Sequence, residues 1–352
     1  MAADHAGPPL SWPLAIGAWQ LRHRVVLAPM NRLRADLLTG VPTAEMARYY
    51  ADRTTPGGLL IAEASAISQQ GTAQAGTPGL YTPEHVNAWR SVTTAVHDRG
   101  GFILAQLWHA GRLAGTSVSG EAPVGASPIV ASGRTYAPAG SDGQLLVPQA
   151  LDDDGIDRVI DQYRRAAENA GDAGFDGIEL HCASGCLIDQ FLQASSNIRG
   201  DAYGGSIESR VHFLVDAVQA VMSVWNPNRV GVRLSPLGAI NDVDDPDPVT
   251  LFRHVLQRLD EESVTFVHLM EPRAGAGVID VASSQKPEIL PLLRTSWPMT
   301  LVASGGFDSL SANKSIARGD ADAISFGRAF LANADLAQRL VDGRCVDSVG
   351  LP

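Results

Sequence analysis

Eight short apolar runs without clean apolar–polar alternation constrain this chain more than any other feature. They are Arg24-Val-Val-Leu-Ala-Pro, Gly58-Leu-Leu-Ile-Ala-Glu, Phe102-Ile-Leu-Ala-Gln-Leu, Gly177-Ile-Glu-Leu-His, Val230-Gly-Val-Arg-Leu-Ser, Thr265-Phe-Val-His-Leu-Met, Met299-Thr-Leu-Val-Ala-Ser and Ala323-Ile-Ser-Phe-Gly. A sheet with one wet face would alternate, whereas parallel strands covered on both faces need not. Helical periodicity falls between the runs, over Pro83 to Asp98, Asp157 to Ala173, Glu208 to Val224, Pro248 to Glu261, Pro287 to Leu293 and Leu310 to Arg318. Asp154 or Gly155 ahead of Ile156, and Ser206 ahead of Ile207, are the expected helix starts. Strands alternating with helices predict an α/β protein built as a (β/α)8 TIM barrel, with an open doubly wound sheet as the alternative.

Barrels of this kind routinely exceed 250 residues as one unit. The whole chain, 1–352, is therefore read as a single domain. Its third and fourth strands are separated by roughly 70 residues, more than one helical crossover needs. The first part, 111–149, is rich in Gly, Ser, Pro and Ala and is read as an excursion capping the barrel mouth, or as a surface loop. A net charge of −11 repels nucleic-acid phosphate and anionic lipid through the overall field, so the expected partner is a small molecule. No apolar run approaches the ~20 residues of a membrane span, and no secretion signal is visible. Three cysteines, Cys182, Cys186 and Cys345, are no disulfide framework and fit a reducing, cytoplasmic compartment. Cys182 and Cys186 lack Cys-x2-Cys spacing and a second pair, so no metal site is expected.

In a TIM barrel the chemistry gathers at the C-terminal ends of the strands. Ser304-Gly305-Gly306 after the seventh strand lets backbone N–H groups approach an anion, and Gly327-Arg328 after the eighth adds a cation with a fork of donors. Together, in that order, they predict a phosphate site; separately they would be helix caps and a surface arginine. Gln106 and Arg233 lie inside apolar strands. A buried guanidinium needs an acceptor or anion, either a ligand or a barrel carboxylate such as Glu179 or Glu63. Neither the dinucleotide fingerprint Gly-x-Gly-x-x-Gly in its strand–helix context nor a nucleotide-triphosphate loop is present.

Several motifs in one order resemble those of the Old Yellow Enzyme family. They are Ala28-Pro-Met-Asn-Arg-Leu-Arg-Ala, Gln106-Leu-Trp-His-Ala-Gly-Arg, Ala173-Gly-Phe-Asp-Gly-Ile-Glu-Leu-His, Asp189-Gln-Phe-Leu, Ser195-Ser-Asn, Tyr203-Gly-Gly-Ser-Ile-Glu-Ser-Arg, Val230-Gly-Val-Arg-Leu-Ser-Pro, Phe326-Gly-Arg and Asn333-Ala-Asp-Leu. The resemblance implies a TIM barrel holding flavin mononucleotide (FMN), which NAD(P)H reduces and an activated alkene such as an enone reoxidises. It implies that Pro29, Met30, Asn31, Ala64, Gln106 and Arg233 line the flavin ring and ribityl chain. Ser304, Gly305, Gly306, Gly327 and Arg328 would hold the phosphate. His181 would donate a hydrogen bond to the substrate carbonyl, where hydride addition builds negative charge; the alternative is a satisfied core histidine.

Four departures from the family pattern stand out. Asn31 replaces the usual Thr or Cys beside the flavin. The substrate anchors, usually His-x-x-His or His-x-x-Asn, are His181-x-x-Ser184, with a shorter second donor. The usual proton-donating tyrosine is replaced by Cys186, read either as a thiol acid or as a space-filler with water supplying the proton. The sequence ends at Val349-Gly-Leu-Pro, where relatives carry a tail over the flavin, so one wall is expected to be absent or to come from a partner subunit. Three functions fit: an ene-reductase, a flavin-dependent isomerase or desaturase of a biosynthetic pathway, or a catalytically degraded flavin-binding protein. A monomer and a homodimer are both compatible with the sequence.

Overall fold

The computed structural model describes residues 7–115, 118, 120–132, 146–237, 240–271 and 288–347. In chain order its strands and α-helices are β1 (Leu14–Ile16), β2 (Trp19–Leu21), β3 (Val25–Leu27), α1 (Ala44–Asp52), β4 (Leu59–Ala66), α2 (Pro83–His97), β5 (Phe102–Trp108), β6 (Val124–Gly125), β7 (Gln149–Ala150), α3 (Asp153–Asp172), β8 (Gly177–Cys182), α4 (Leu187–Leu192), α5 (Ile207–Met222), β9 (Val230–Leu234), α6 (Pro248–Glu261), β10 (Phe266–Met270), α7 (Ile289–Arg294), β11 (Thr300–Ser304), α8 (Ser309–Arg318), β12 (Ala323–Phe326), α9 (Arg328–Ala332) and α10 (Leu336–Val341). The eight expected runs become β3, β4, β5, β8, β9, β10, β11 and β12. They close into a parallel barrel in the order β3-β4-β5-β8-β9-β10-β11-β12 and back to β3. The open-sheet alternative is thereby excluded.

Local chemistry sets the helix boundaries. Ser206 caps α5, its hydroxyl accepting from Ser209 N, and Asp247 caps α6 ahead of Pro248. The start of α3 lies earlier than Asp154 or Gly155. Asp152 is the cap, its carboxylate accepting from Gly155 N at 2.8 Å, so Asp153 and Asp154 fall in the first turn where negative charge suits the helix dipole.

Two hydrophobic cores follow from the closure. One lies between strands and helices and takes the outward residues Ala105, Leu107, Ile178, Leu180 and Cys182. The other fills the barrel interior with Val26, Leu59, Ile61, Leu104, Phe266, Val302 and Ala323. Trp19 and Leu21 of the β1–β2 hairpin join this inner core and plug that end of the barrel. Room for the two large rings comes from glycine: a Cβ on Gly177 would lie 2.5 Å from the Trp19 ring, and one on Gly231 2.2 Å from Phe266. Above that plug the interior turns polar, with Gln106, Glu179 and His268 all buried.

The excursion at 111–149 is pinned where it is described. Gly111–Leu113 forms a 3-10 turn, and Val124–Gly125 pairs in parallel with Gln149–Ala150. Residues 133–145 of the excursion and the terminal Val349-Gly-Leu-Pro lie outside the described residues. Among those described, no helix is long and apolar enough to cross a membrane.

Candidate active site

A cavity of about 440 Å3 opens at the C-terminal ends of β3, β9, β10, β11 and β12. Its lining includes Pro29, Met30, Arg233, Ser304, Gly305, Gly306, Gly327 and Arg328, eight of the eleven residues expected to hold a cofactor. The volume falls within the roughly 300–1,000 Å3 of ordinary ligand pockets. Backbone conformation shapes the cradle. Gly305 and Gly306 have φ of 117° and 75°, in the region that favours glycine. A Cβ on Gly305 would lie 2.7 Å from Glu271 O, and one on Gly327 2.6 Å from Met30 Sδ. Only bare backbone fits here, and bare backbone is what brings N–H donors close to an anion. With Arg328 half-buried on the rim, the donor set suits a phosphate monoester.

The other three expected cofactor residues are arranged differently. Ala64 and Gln106 are register neighbours on β4 and β5, both buried. Asn31 is exposed beyond the end of β3 and does not line the cavity. Its position is set by the next two residues, Arg32 and Leu33, whose N–H groups donate to Glu63 Oε2 at 2.9 and 3.2 Å. Glu63 owes its placement to a bulge: Ile61 pairs with Leu104 but Ala64 with Gln106, which leaves one extra residue in β4. Burial, opposed by those two N–H bonds, pushes the Glu63 carboxyl up to about 7.

His181 ends the polar face of β8, in register with Arg233 on β9, and is 7 % exposed. Burial first, then the charges of Arg233 and His268, hold its pKa well below the usual 6.5. The ring is neutral at physiological pH and carries one N–H. Its Nδ1 is buried without a hydrogen-bond partner, and His181 is not among the residues lining the cavity. After β8 the chain turns sharply through Ser184 (φ 60°) and Gly185 (φ 76°). A non-glycine residue in that conformation costs about 1 kcal/mol or more. The turn is held by Ser184 N donating to Ser235 Oγ at 2.9 Å and by Asn241 Nδ2 donating to Ser184 O at 2.8 Å. Ser184 is half-buried, and Gly185 N donates to Asp189, whose carboxyl burial lifts to about 6.

Cys186 follows as the N-cap of α4, fully buried, with Trp108 Nε1 donating to its sulfur at 2.8 Å. Burial pushes the thiol up to about 12, against the opposing effect of the indole bond. The two barrel carboxylates proposed as partners for Arg233 are engaged elsewhere, although Glu63 Oε1 is buried without a hydrogen-bond partner. Glu179 accepts Gln106 Nε2 at 2.6 Å on one oxygen and contacts His268 Nδ1 at 2.8 Å on the other; Glu63 holds the Arg32–Leu33 turn. Arg233 itself reaches Met270 Sδ at 3.7 Å on the cavity wall.

Sequence reasoning named Glu63 and Glu179 only as possible partners for Arg233, and it did not single out Ser325. A signal existed for Glu179 and His268: ionisable residues inside apolar barrel strands must find partners. Among the described residues no group of three His, Cys, Asp or Glu side chains could hold a metal ion.

Known proteins match this architecture over nearly its whole length. The family model described as the NADH:flavin oxidoreductase / NADH oxidase family matches residues 9–347. The chain is 41% identical over 338 residues to 12-oxophytodienoate reductase 1 of Oryza sativa subsp. japonica, covering 96% of this chain and 87% of that protein. It superposes on the Old Yellow Enzyme homologue from Zymomonas mobilis with a TM-score of 0.91 and 38% identity, covering 97% of this chain and 94% of that one. It superposes on morphinone reductase in complex with tetrahydroNAD with a TM-score of 0.86 and 34% identity, covering 97% and 92%. The barrel, the glycine-lined anion cradle and the extent of these matches lead to one conclusion: the chain belongs to the NADH:flavin oxidoreductase / NADH oxidase family, the Old Yellow Enzymes, and is an FMN-dependent oxidoreductase.

Proposed function

We propose that this protein is an ene-reductase that uses NAD(P)H, through FMN, to reduce the carbon–carbon double bond of a carbonyl-activated alkene such as an enone. The observation that carries the reading is the neutral, buried His181, with an unpartnered Nδ1, in register with the cavity-lining Arg233. The names of similar proteins, 12-oxophytodienoate reductase and morphinone reductase, support it.

When bound, FMN supplies two-electron carriage between NAD(P)H and the alkene. Gly305, Gly306, Gly327 and Arg328, with Ser304, hold the phosphate. Pro29, Met30, Ala64 and Gln106 border the ring and ribityl chain, with Asn31 at the outer edge. Arg233 places positive charge where the reduced ring gathers negative charge. His181 donates to the substrate's carbonyl oxygen, with Ser184 as a second, shorter donor. Such a bond strengthens as charge develops on that oxygen, so it favours the transition state over the bound substrate. A neutral imidazole serves here because it keeps one N–H and loses no proton over the physiological range.

A cytoplasmic protein acting as a monomer or homodimer completes the reading, and the free thiols Cys182, Cys186 and Cys345 support a reducing setting. The decisive experiment is anaerobic. The purified protein should show a flavin spectrum that NADPH or NADH bleaches and that an enone such as 2-cyclohexenone restores. Bleaching that no activated alkene reverses would defeat the ene-reductase assignment.

A further inference from the structure

A continuous hydrogen-bonded chain crosses the barrel interior through four strands. Gln106 on β5 donates its amide N–H to Glu179 Oε1 on β8 at 2.6 Å. Glu179 Oε2 lies 2.8 Å from Nδ1 of His268 on β10. Nε2 of that ring lies 2.7 Å from Ser325 Oγ on β12. All four side chains are buried, with exposures of 1%, 0%, 0% and 3%. One end, Ser325, lines the 440 Å3 cavity; the other, Gln106, is the register neighbour of Ala64, and both of those residues are assigned to the flavin in the reading above.

The direction of each bond follows from the chemistry of the groups. Two donors converge on Glu179, which suits an acceptor-only carboxylate. Burial lowers the His268 pKa, so the ring is neutral and has one N–H. That hydrogen belongs on Nδ1, facing Glu179, which leaves a lone pair on Nε2. Ser325 must then donate its hydroxyl hydrogen to Nε2, and its oxygen shows only lone pairs to the cavity. At the other end, the Gln106 amide has spent an N–H on Glu179, so its free oxygen is the group fixed for a ligand. The donors run toward Glu179, and each terminus holds an oxygen acceptor in a fixed orientation, that of Gln106 beside its second N–H.

We propose that Glu179 and His268 are positioning residues that lock Gln106 and Ser325 as hydrogen-bond acceptors in the FMN site. The inference rests on the reading that FMN occupies this cavity. FMN offers matching donors, the N3–H of its ring and the hydroxyls of its ribityl chain. The polarity set by Glu179 therefore selects a ligand that presents donors at both places. A buried donor or acceptor left facing its own kind is costly, which makes the selection sharp.

The test measures binding of FMN and of FMN methylated at N3, which lacks the ring donor, to apoprotein refilled with each. The wild type should prefer FMN by about tenfold or more. Glu179→Gln keeps the size but offers one acceptor oxygen where two donors converge, so the Gln106 amide is free to rotate. Its preference for FMN over the methylated flavin should fall to near unity, with a shift in the bound flavin's visible absorption. Ser325→Ala should weaken both flavins alike, by ~5- to 10-fold, and leave their ratio unchanged. A Glu179→Gln protein that retains the wild-type ratio and spectrum overturns the proposal. If Glu179→Gln fails to fold, Ser325→Ala decides, and unchanged FMN affinity there overturns it. Failure of the wild type to bind any flavin would instead defeat the cofactor assignment itself, a separate result.

Discussion

Cys186 occupies the position where the family resemblance implies a proton-donating tyrosine, and its surroundings argue for packing. The side chain is wholly buried among Ala64, Ala73, Trp108, Leu113 and Ala131. Trp108 Nε1 donates to the sulfur, and burial lifts the thiol to about 12. A thiol that weak keeps its proton at neutral pH, and solvent water can serve in its place. We therefore expect Cys186→Ala to leave the rate of alkene reduction within about twofold of wild type. It should lower stability by about 1 kcal/mol, read as a small drop in melting temperature. A tenfold loss of turnover at full flavin loading would restore the thiol to the reaction. The sequence showed which residue type occupies this position. It could not show that Trp108, 78 positions earlier, would reach the sulfur; that contact exists only because β5 and β8 lie side by side in the barrel. For His181 the reverse held: strand-end placement alone pointed to the mouth of the barrel.

Among the elements, the β1–β2 hairpin contributes most to stability relative to its length. Its three-residue strands send Trp19 into the barrel floor, where the indole meets Phe266 edge-on with centroids 6.3 Å apart. Trp19→Ala would empty that floor, because the hydrogen-bonded closure of the barrel limits collapse around the void. The expected cost is ~3–5 kcal/mol, measured by urea or thermal unfolding. The flavin spectrum of the folded fraction should be unchanged, since the plug and the cradle lie at opposite ends of the barrel. Loss of flavin from a protein that stays folded would contradict that separation. The hairpin was readable in principle: Gly17-Ala18 between two short runs is a two-residue turn signal, and Gly17 adopts φ 49°. Three-residue strands are too short for periodicity to reveal, so the apolar runs of the barrel, five or six residues long in the sequence, dominated the reading. The bulge at Glu63 was invisible for a related reason. An extra residue in one strand is defined only against its partner's register.

At the scale of the whole molecule, the eight barrel strands were legible because most are separated by a helical pattern, although the short α1 between β3 and β4 was not read. The interior charge state was not, because it depends on which polar residues point inward. That charge state governs the response to acid. Burial lowers the pKa of His23 to about 4, of His109 to about 3, and of His181 well below 6.5. Below pH 6.5 the unfolded chain protonates these rings while the native protein does not, so stability falls as pH falls toward the native pKa values. Glu63 and Asp189 act with the opposite sign. Their native values of about 7 and about 6 lie above the ordinary 4.5 and 3.8 of exposed carboxyls. The folded protein therefore holds protons that the unfolded chain has released, and stability rises as pH falls through that range. Between pH 6 and 4.5 three histidines oppose two carboxylates, which leaves about one uncompensated proton. The expected slope is a loss of ~1.4 kcal/mol per pH unit. His85 and His268, also lowered by burial, add to it in the same direction. Unfolding midpoints measured from pH 7 to 4.5 should fall accordingly. His109→Asn removes one titrating ring and keeps an acceptor for the Gly111 N–H that His109 Nδ1 now takes at 3.0 Å. That variant should show a slope shallower by up to about 1.4 kcal/mol per pH unit. A wild-type midpoint that rises on acidification, or a His109→Asn slope equal to wild type, would mean that the inner histidines are protonated in the native barrel.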